Sequence, residues 1–312
     1  MGVFGIDDIA GMSVSMKTGG RWRHRAVLAL PWLWSTLFFL LPFAFVLKIS
    51  FAEAQMSVPP FTDLLQRVDG AVVGIKVSLA NYVLVFTDSL YVKAYLGSLK
   101  IAAIATILTL LMGYPMAYAI ARAPAARRAM LLVLVMMPFW TSFLVRIYAW
   151  IGLLRPSGLI NAALESWGLI DAPLALLNTP GAVYLGIVYA YLPFMILPLY
   201  ARLEKLDPAF LEAAADLGAK PWRAFLQVTL PLSLPGVLAG CLLVFIPAIG
   251  EFVIPELLGG PDTLMIGKVL WNEFFSNRDW PLSAALTVVM LIVLVAPMGL
   301  LQALQTRGQA AS

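Results

Sequence analysis

An all-α integral membrane protein with six transmembrane helices is the fold class this sequence predicts, and three observations predict it. Of its 312 residues, 61% are hydrophobic and only 12% charged, against about a quarter charged in an average soluble domain. Six apolar runs are long enough to cross a hydrocarbon core of about 30 Å, which takes about 20 helical residues. Basic residues recur in alternate loops between those runs, the pattern of a chain that crosses the bilayer repeatedly. Alternating ten-residue strands are absent, which argues against a transmembrane barrel.

The spans fall at 27–46, 101–121, 130–154, 183–200, 235–252 and 283–304, within a transmembrane domain at 27–304 flanked by tails at 1–26 and 305–312. The first 20 residues mix Gly, Ser and charge without periodicity and read as a mobile tail. The first span is about 20 residues long, more than the 7–15 of a signal peptide's apolar region, and so reads as a retained anchor. Lys17, Arg21, Arg23 and Arg25 precede it. Arg122, Arg127 and Arg128 follow the second span, and Arg202, Lys205, Lys220 and Arg223 follow the fourth. Arg307 follows the last. The positive-inside rule therefore puts both termini, and the loop after the fourth span, in the cytoplasm. The net charge of +4 is topological and calls for no nucleic-acid surface.

In the first outer segment, 53–94, short helices are expected at 61–65 and 82–86. In the second, Leu159, Ile160, Leu164 and Trp167 beside Asn161 and Glu165 predict an amphipathic helix on the outer interface. Pro42, Pro115, Pro138, Pro193, Pro198 and Pro247 lie within spans and should bend them. Gly236 and Gly240 predict a close helix contact. With one cysteine, Cys241, and one histidine, His24, neither an intramolecular disulfide nor a metal cluster of the usual kind is expected.

The most informative stretch lies between the fourth and fifth spans. Asp207 before Pro208 reads as an N-cap ahead of an N1 proline, so a helix should run from Pro208 to about Leu217, with Gly218 ending it. Lys220-Pro221 starts a second short helix, which Pro231 and Pro235 are expected to stop. The outcome is a helix-glycine-helix elbow on the membrane surface. Its pattern is Glu212-Ala213-Ala214, three residues, Gly218, nine residues, Val228, one residue, then Leu230-Pro231. It resembles the cytoplasmic coupling loop of ATP-binding-cassette importer permeases, with Val228 where that family usually has Ile.

The resemblance implies the type I importer permease fold, with a coupling loop at about 204–232. It implies small residues that let the first helix enter a cleft of an ATPase subunit, anchored by Glu212 with Asp216 one turn along the same face. Catalysis in this chain is not expected. The nearest approach to a phosphate loop, ending in Gly267-Lys268-Val269, has Asp262 for its first glycine and Val269 for the hydroxyl. The chain should carry no cofactor of its own, with ATP and Mg²⁺ held by two partner ATPase subunits. A second related permease, a periplasmic polyamine-binding protein and membrane lipid complete the expected partners.

Substrate information is richest near the fifth span. Glu251-Phe252-Val253-Ile254-Pro255-Glu256-Leu257-Leu258-Gly259-Gly260-Pro261-Asp262 and Asn277-Arg278-Asp279-Trp280-Pro281 concentrate acids among aromatics. Carboxylates can hold ammonium groups, and aromatic faces add cation–π attraction of about 0.5–2 kcal/mol each. A di- or triamine suits such a mouth. These segments, with 139–150 and 189–195, look like the permease subunits of putrescine and spermidine importers, nearest to the putrescine branch. Glu251 is the first candidate path residue, followed by Glu256, Asp279, Trp280 and Tyr189, and docking of the binding protein is an equal role for the acids. Arg146, whose charge near mid-membrane costs at least about 2.5–3.5 kcal/mol, is expected to snorkel to the outer interface beside Tyr148 and Trp150. Spermidine, an opine or another cationic amine stay open as substrates. A stand-alone secondary transporter and a non-transporting scaffold are the rival classes.

Overall fold

The computed structural model describes residues 29–68, 71–261 and 263–310, and side chains are described for neither 65–68, 71–73 and 75 nor 296–310. The expected N-terminal tail, His24 and its neighbouring arginines, and Asp262 lie outside the described residues. Among the residues whose side chains are described, five stretches are long and apolar enough to cross a membrane: Ala29–Ser50, Ser89–Arg122, Phe143–Ser166, Pro180–Leu203 and Pro221–Ile249, and Trp280–Val295 is the apolar described part of the last helix.

In chain order, α1 is Ala29–Ser50, and it packs against the last helix through Leu41–Ser50. A hairpin follows, β1 (Leu65–Val68) antiparallel to β2 (Ala71–Ile75). The helix expected at 61–65 is thus corrected. Phe61 instead bridges Ala54, and Leu65 already begins β1, since five residues are too few to offset the cost of nucleating a helix. The helix expected at 82–86 is present within α2 (Ala80–Thr87). Asn81 ties α2 to α1 by donating to the carbonyls of Ser50 and Ala52 at 3.2 and 2.8 Å.

The long α3 (Ser89–Arg122) carries a buried stripe of small residues, Ala94, Ser98, Ala102, Ala105, Thr109, Gly113 and Ala117. The spacing of three or four keeps them on one face, and their size lets α7 (Pro180–Leu203) and α9 (Pro221–Ile249) approach closely. These three helices form the centre of the molecule. Gly236 and Gly240 are the tightest points of the α7–α9 contact. A Cβ on Gly240 would lie 2.7 Å from Met195 Sδ and 3.1 Å from the Met195 carbonyl oxygen. Gly240→Val should therefore destabilise the protein by about 1–3 kcal/mol through overpacking, read as a lowered Tm in detergent. An unchanged Tm would refute the close contact.

The third span is not continuous, which corrects the expected run at 130–154. α4 (Ala125–Met136) ends in a 3₁₀ turn at Met137–Trp140, Thr141 and Ser142 are extended, and α5 (Phe143–Leu154) resumes. Pro138 cannot donate to the helical ladder, and Thr141 Oγ1 closes the turn by donating to the Pro138 carbonyl at 2.8 Å. The outer helix appears as α6 (Leu159–Ser166). Leu159 and Trp167 are exposed, but Asn161 is buried rather than facing water. It donates to the carbonyls of Arg155 and Leu174 and accepts from the Leu174 amide.

The elbow helix α8 is Ala209–Asp216. α9 then runs unbroken from Pro221 to Ile249, so Pro231 and Pro235 do not stop a second short helix as expected. A π turn at Phe225–Thr229 precedes Pro231, with the Leu230 amide reaching back to the Phe225 carbonyl. It loosens the ladder where the proline ring could not join it. The same device precedes Pro42 in α1, where a π turn spans Thr36–Leu40. Short helices α10 (Val253–Leu258) and α11 (Ile266–Trp271) follow, the latter passing into a π turn at Asn272–Ser276. Last is α12 (Trp280–Ala310), which continues past the expected end of the transmembrane domain at 304.

Candidate functional site

Two regions at opposite ends of the α3–α7–α9 core hold the candidate residues. At one end the elbow is built as its composition requires. Asp207 Oδ1 accepts from the Ala209 amide at 2.9 Å and caps α8. At the other terminus of α8, Gly218 has φ +78. The Ala219 amide donates to the Ala214 carbonyl at 2.9 Å and the Gly218 amide to the Ala215 carbonyl at 2.8 Å, the paired bonds of a Schellman cap. Glu212, Ala213 and Asp216 are exposed, together with Phe210 and Leu217, whereas Ala214 is half-buried. Among the described residues no ion pair involves Glu212 or Asp216. α8 thus presents two free carboxylates, small residues and apolar side chains on one outward surface.

The elbow is fastened to the core at several points. The Phe225 ring meets Tyr114 and Tyr118 edge-on, at centroid distances of 5.5 and 6.3 Å. The hydroxyls of Tyr114 and Ser233 share a 2.8 Å hydrogen bond. Arg202 Nε donates to the Leu232 carbonyl at 3.0 Å, and Arg128 pairs with Glu204 at 3.3 Å. Leu230 packs into this fastening and Pro231 is exposed beside it, so neither lies on the outward surface of α8.

At the other end the acids sort into distinct environments. Glu251 is buried and its oxygens are engaged within the chain. It accepts from Tyr191 Oη at 2.6 Å and from the Val253 and Ile254 amides at 3.0 and 3.4 Å. It therefore caps α10 and ties it to α7. Glu256 pairs with Lys268 at 2.9 Å on the surface. Asp279 caps α12 by accepting from the Leu282 amide at 3.0 Å. With Arg278 it borders a groove of about 680 Å³ opposite residues 54–58 and Pro60. The sequence reading did not single out Glu273, which is also buried. It accepts from Tyr91 Oη at 3.0 Å and Asn277 Nδ2 at 2.8 Å. Tyr91 lies so far away in sequence that no local signal could have paired them.

Trp280 belongs to a continuous aromatic wall. It stacks on Phe274 at 5.1 Å and 4°, Phe274 meets Phe275 at 4.8 Å, and Phe275 meets Trp271 at 4.1 Å. Trp271 stacks on Phe252 at 4.4 Å and 10°. A cavity of about 340 Å³ opens on this wall, closed below by Thr287 and Met290. Tyr189 stands apart from it, edge-on to Trp150 at 5.5 Å. The Arg146 head lies against Phe139 and Phe143, where Tyr148 and Trp150 were expected beside it. Its guanidinium carbon sits 5.0 and 5.7 Å from the Phe139 and Phe143 ring centroids. Among the described residues no group of three or more His, Cys, Asp or Glu side chains is placed to hold a metal ion.

Residues 113–309 match the family model of the binding-protein-dependent transport system inner membrane component. The chain is 40% identical to the spermidine/putrescine transport system permease protein PotB of Haemophilus influenzae, over 87% of this chain and 90% of that protein. To Escherichia coli PotB it is 41% identical, over 84% of this chain and 90% of that protein. A crystal structure of a bacterial ABC transporter involved in the import of the acidic polysaccharide alginate contains a chain of the same fold, with TM-score 0.68 and 17% identity. That match covers 92% of this chain and 96% of the other. The capped elbow and the bent helical core are thus parts of an ABC importer permease fold, and the chain belongs to the family of binding-protein-dependent inner-membrane transport components.

Proposed function

We propose that this chain is one of two permease subunits of an ATP-binding-cassette importer that carries a polyamine, putrescine or spermidine, into the cytoplasm. The observation that carries the reading is the likeness to PotB permeases over more than four-fifths of the chain. The elbow and the aromatic wall support it. The outward surface of α8, with Glu212 and Asp216 free, is a convex element of the shape and charge that a cleft in an ATPase subunit would take. The elbow is fastened through Phe225, Tyr114 and Ser233 to the two longest core helices, so a displacement of α8 reaches the spans without slack. Both termini and the elbow face the cytoplasm in this reading. ATP and Mg²⁺ belong to two ATPase partners, and a soluble polyamine-binding protein delivers substrate from outside.

At the far end, the wall of Phe252, Trp271, Phe275, Phe274 and Trp280 offers faces to an alkylammonium chain. Asp279, on its own groove, and the surface Glu256–Lys268 pair are left for substrate or for the binding protein. Glu251 and Glu273 supply negative charge behind the wall. A stand-alone secondary transporter would need coupling-ion sites inside the spans, and the two buried acids among the described residues are already engaged by Tyr191, Tyr91 and Asn277.

The test is uptake by the complex reconstituted in liposomes with its second permease, ATPase and binding protein. Labelled putrescine and spermidine should each accumulate only with ATP and external binding protein, and their competition ranks them. Accumulation without ATP would refute the importer reading. ATP-dependent transport of a different class of solute would refute the polyamine assignment alone.

A further inference from the structure

Thr229 carries a hydroxyl that nothing among the described residues meets. The residue is fully buried, and its Oγ1 makes no hydrogen bond. Elsewhere in the helices Thr87, Thr106, Thr109 and Thr287 each donate to the carbonyl four residues back, at 2.8, 2.7, 2.6 and 2.9 Å. For Thr229 that carbonyl belongs to Phe225. The π turn at Phe225–Thr229 gives it to the Leu230 amide and carries the threonine out of register with it. The opposite constraint sits at Pro231. In a regular α-helix its ring would press on the Gln227 carbonyl, and the widened turn relieves that contact. The π turn before Pro42 stands in the same relation to its proline, but it ends on Leu40, which has no polar group to strand. At the elbow the proline demands the wide turn and the threonine the regular one. There is also room for a rearrangement. A cavity of about 240 Å³ is bounded by Leu211 and Ala215 of α8, Ala224, Phe225 and Thr229 of α9, and Tyr118 of α3.

We propose that Phe225–Thr229 is a joint with two registers and that Thr229 is the residue that sets the balance between them. In the register seen here the turn is wide, Pro231 is relaxed and the Thr229 hydroxyl is stranded. In the other the turn is α-helical, Thr229 Oγ1 donates to the Phe225 carbonyl, and the strain passes to Pro231. Moving from one to the other shifts the chain before the joint by one helical position, about 100° around the axis of α9 and about 1.5 Å along it. Pro221–Ala224 move with that shift, and so does α8 beyond Gly218. The opposing costs keep the two registers close in free energy, so a push on α8 is passed on as one discrete step. The inference rests on the coupling role proposed above for α8.

The test uses the chain in complex with its second permease, ATPase and binding protein, in detergent for Tm and in liposomes for uptake. Thr229→Val keeps the shape of the side chain and removes the stranded hydroxyl, so it should raise Tm by about 2–4 °C. By holding the wide turn it should also lower polyamine uptake about fivefold or more while ATP hydrolysis continues. Thr229→Ser keeps the hydroxyl and should restore uptake. The sign of the Tm change is what a merely structural threonine would not give. Pro231→Ala removes the need for the wide turn, so in that background Thr229 finds its acceptor and Thr229→Val should lower Tm instead. A Tm that does not rise for Thr229→Val alone means that the hydroxyl already has a partner, and overturns the proposal. A rise in both backgrounds, or normal uptake by Thr229→Val, overturns it as well. If the wild-type complex accumulates no polyamine with ATP, the importer reading falls, and the reversal of sign still decides whether the joint has two registers.

Discussion

Gly218→Val in the reconstituted complex is expected to leave ATP hydrolysis running while polyamine uptake falls by an order of magnitude or more. The reason lies in the backbone. Gly218 sits at φ +78 with open space where a Cβ would go, so among the described residues nothing meets an added Cβ. The left-handed conformation costs an ordinary residue about 1–2 kcal/mol, and a β-branched one has least tolerance for it. The valine chain escapes by opening the Schellman cap, which re-aims α8 against its partner. A conformational coupling worth about 1–3 kcal/mol is small enough to be lost to such a change. Gly218→Asn is the control, because Asn accepts the left-handed region, and it should transport close to normally. Normal uptake by the valine complex would refute the elbow's role.

Glu251→Leu is expected to be the most damaging change to stability. It orphans Tyr191 Oη and the Val253 and Ile254 amides at once, and each buried unpaired group costs about 1–3 kcal/mol. The chain should be recovered from membranes in low yield, or with a Tm lowered by roughly 10 °C. Glu251→Gln keeps an acceptor of the same shape and should retain most of the stability. It also separates two roles for this residue. If Glu251 only caps α10, Glu251→Gln transports normally. If its charge faces the polyamine path, uptake falls while Tm holds.

The sequence made the spans and the elbow legible because both obey local rules. Apolar length sets the spans, and Asp207, Pro208 and Gly218 mark the two ends of α8 through their own backbone chemistry. Proline was the misleading signal. Pro231 and Pro235 read as helix stops, since the one-residue insertion at Phe225–Thr229 that accommodates Pro231 has no sequence mark. Pro138 read as a bend and proved to be a break because Thr141 and Ser142 turn extended after it. The acids were legible as a cluster but not one by one. Glu251, Glu273 and Asp279 differ in what the fold brings to them, and the tyrosines that fix the first two come from helices distant in sequence.

Gly236 and Gly240 carry a mechanical consequence. They bring α9 against the α7 backbone at the Pro198 and Met195 carbonyls, so the α7–α9 pair behaves as a doubled strut. A push at α8 cannot be absorbed there. The compliance of the chain is left to the places where the helical ladder is already interrupted, the Thr141–Ser142 joint and the three overwide turns. Under the proposed coupling, those are the points where a displacement of α8 would become rotation of the helices beyond them.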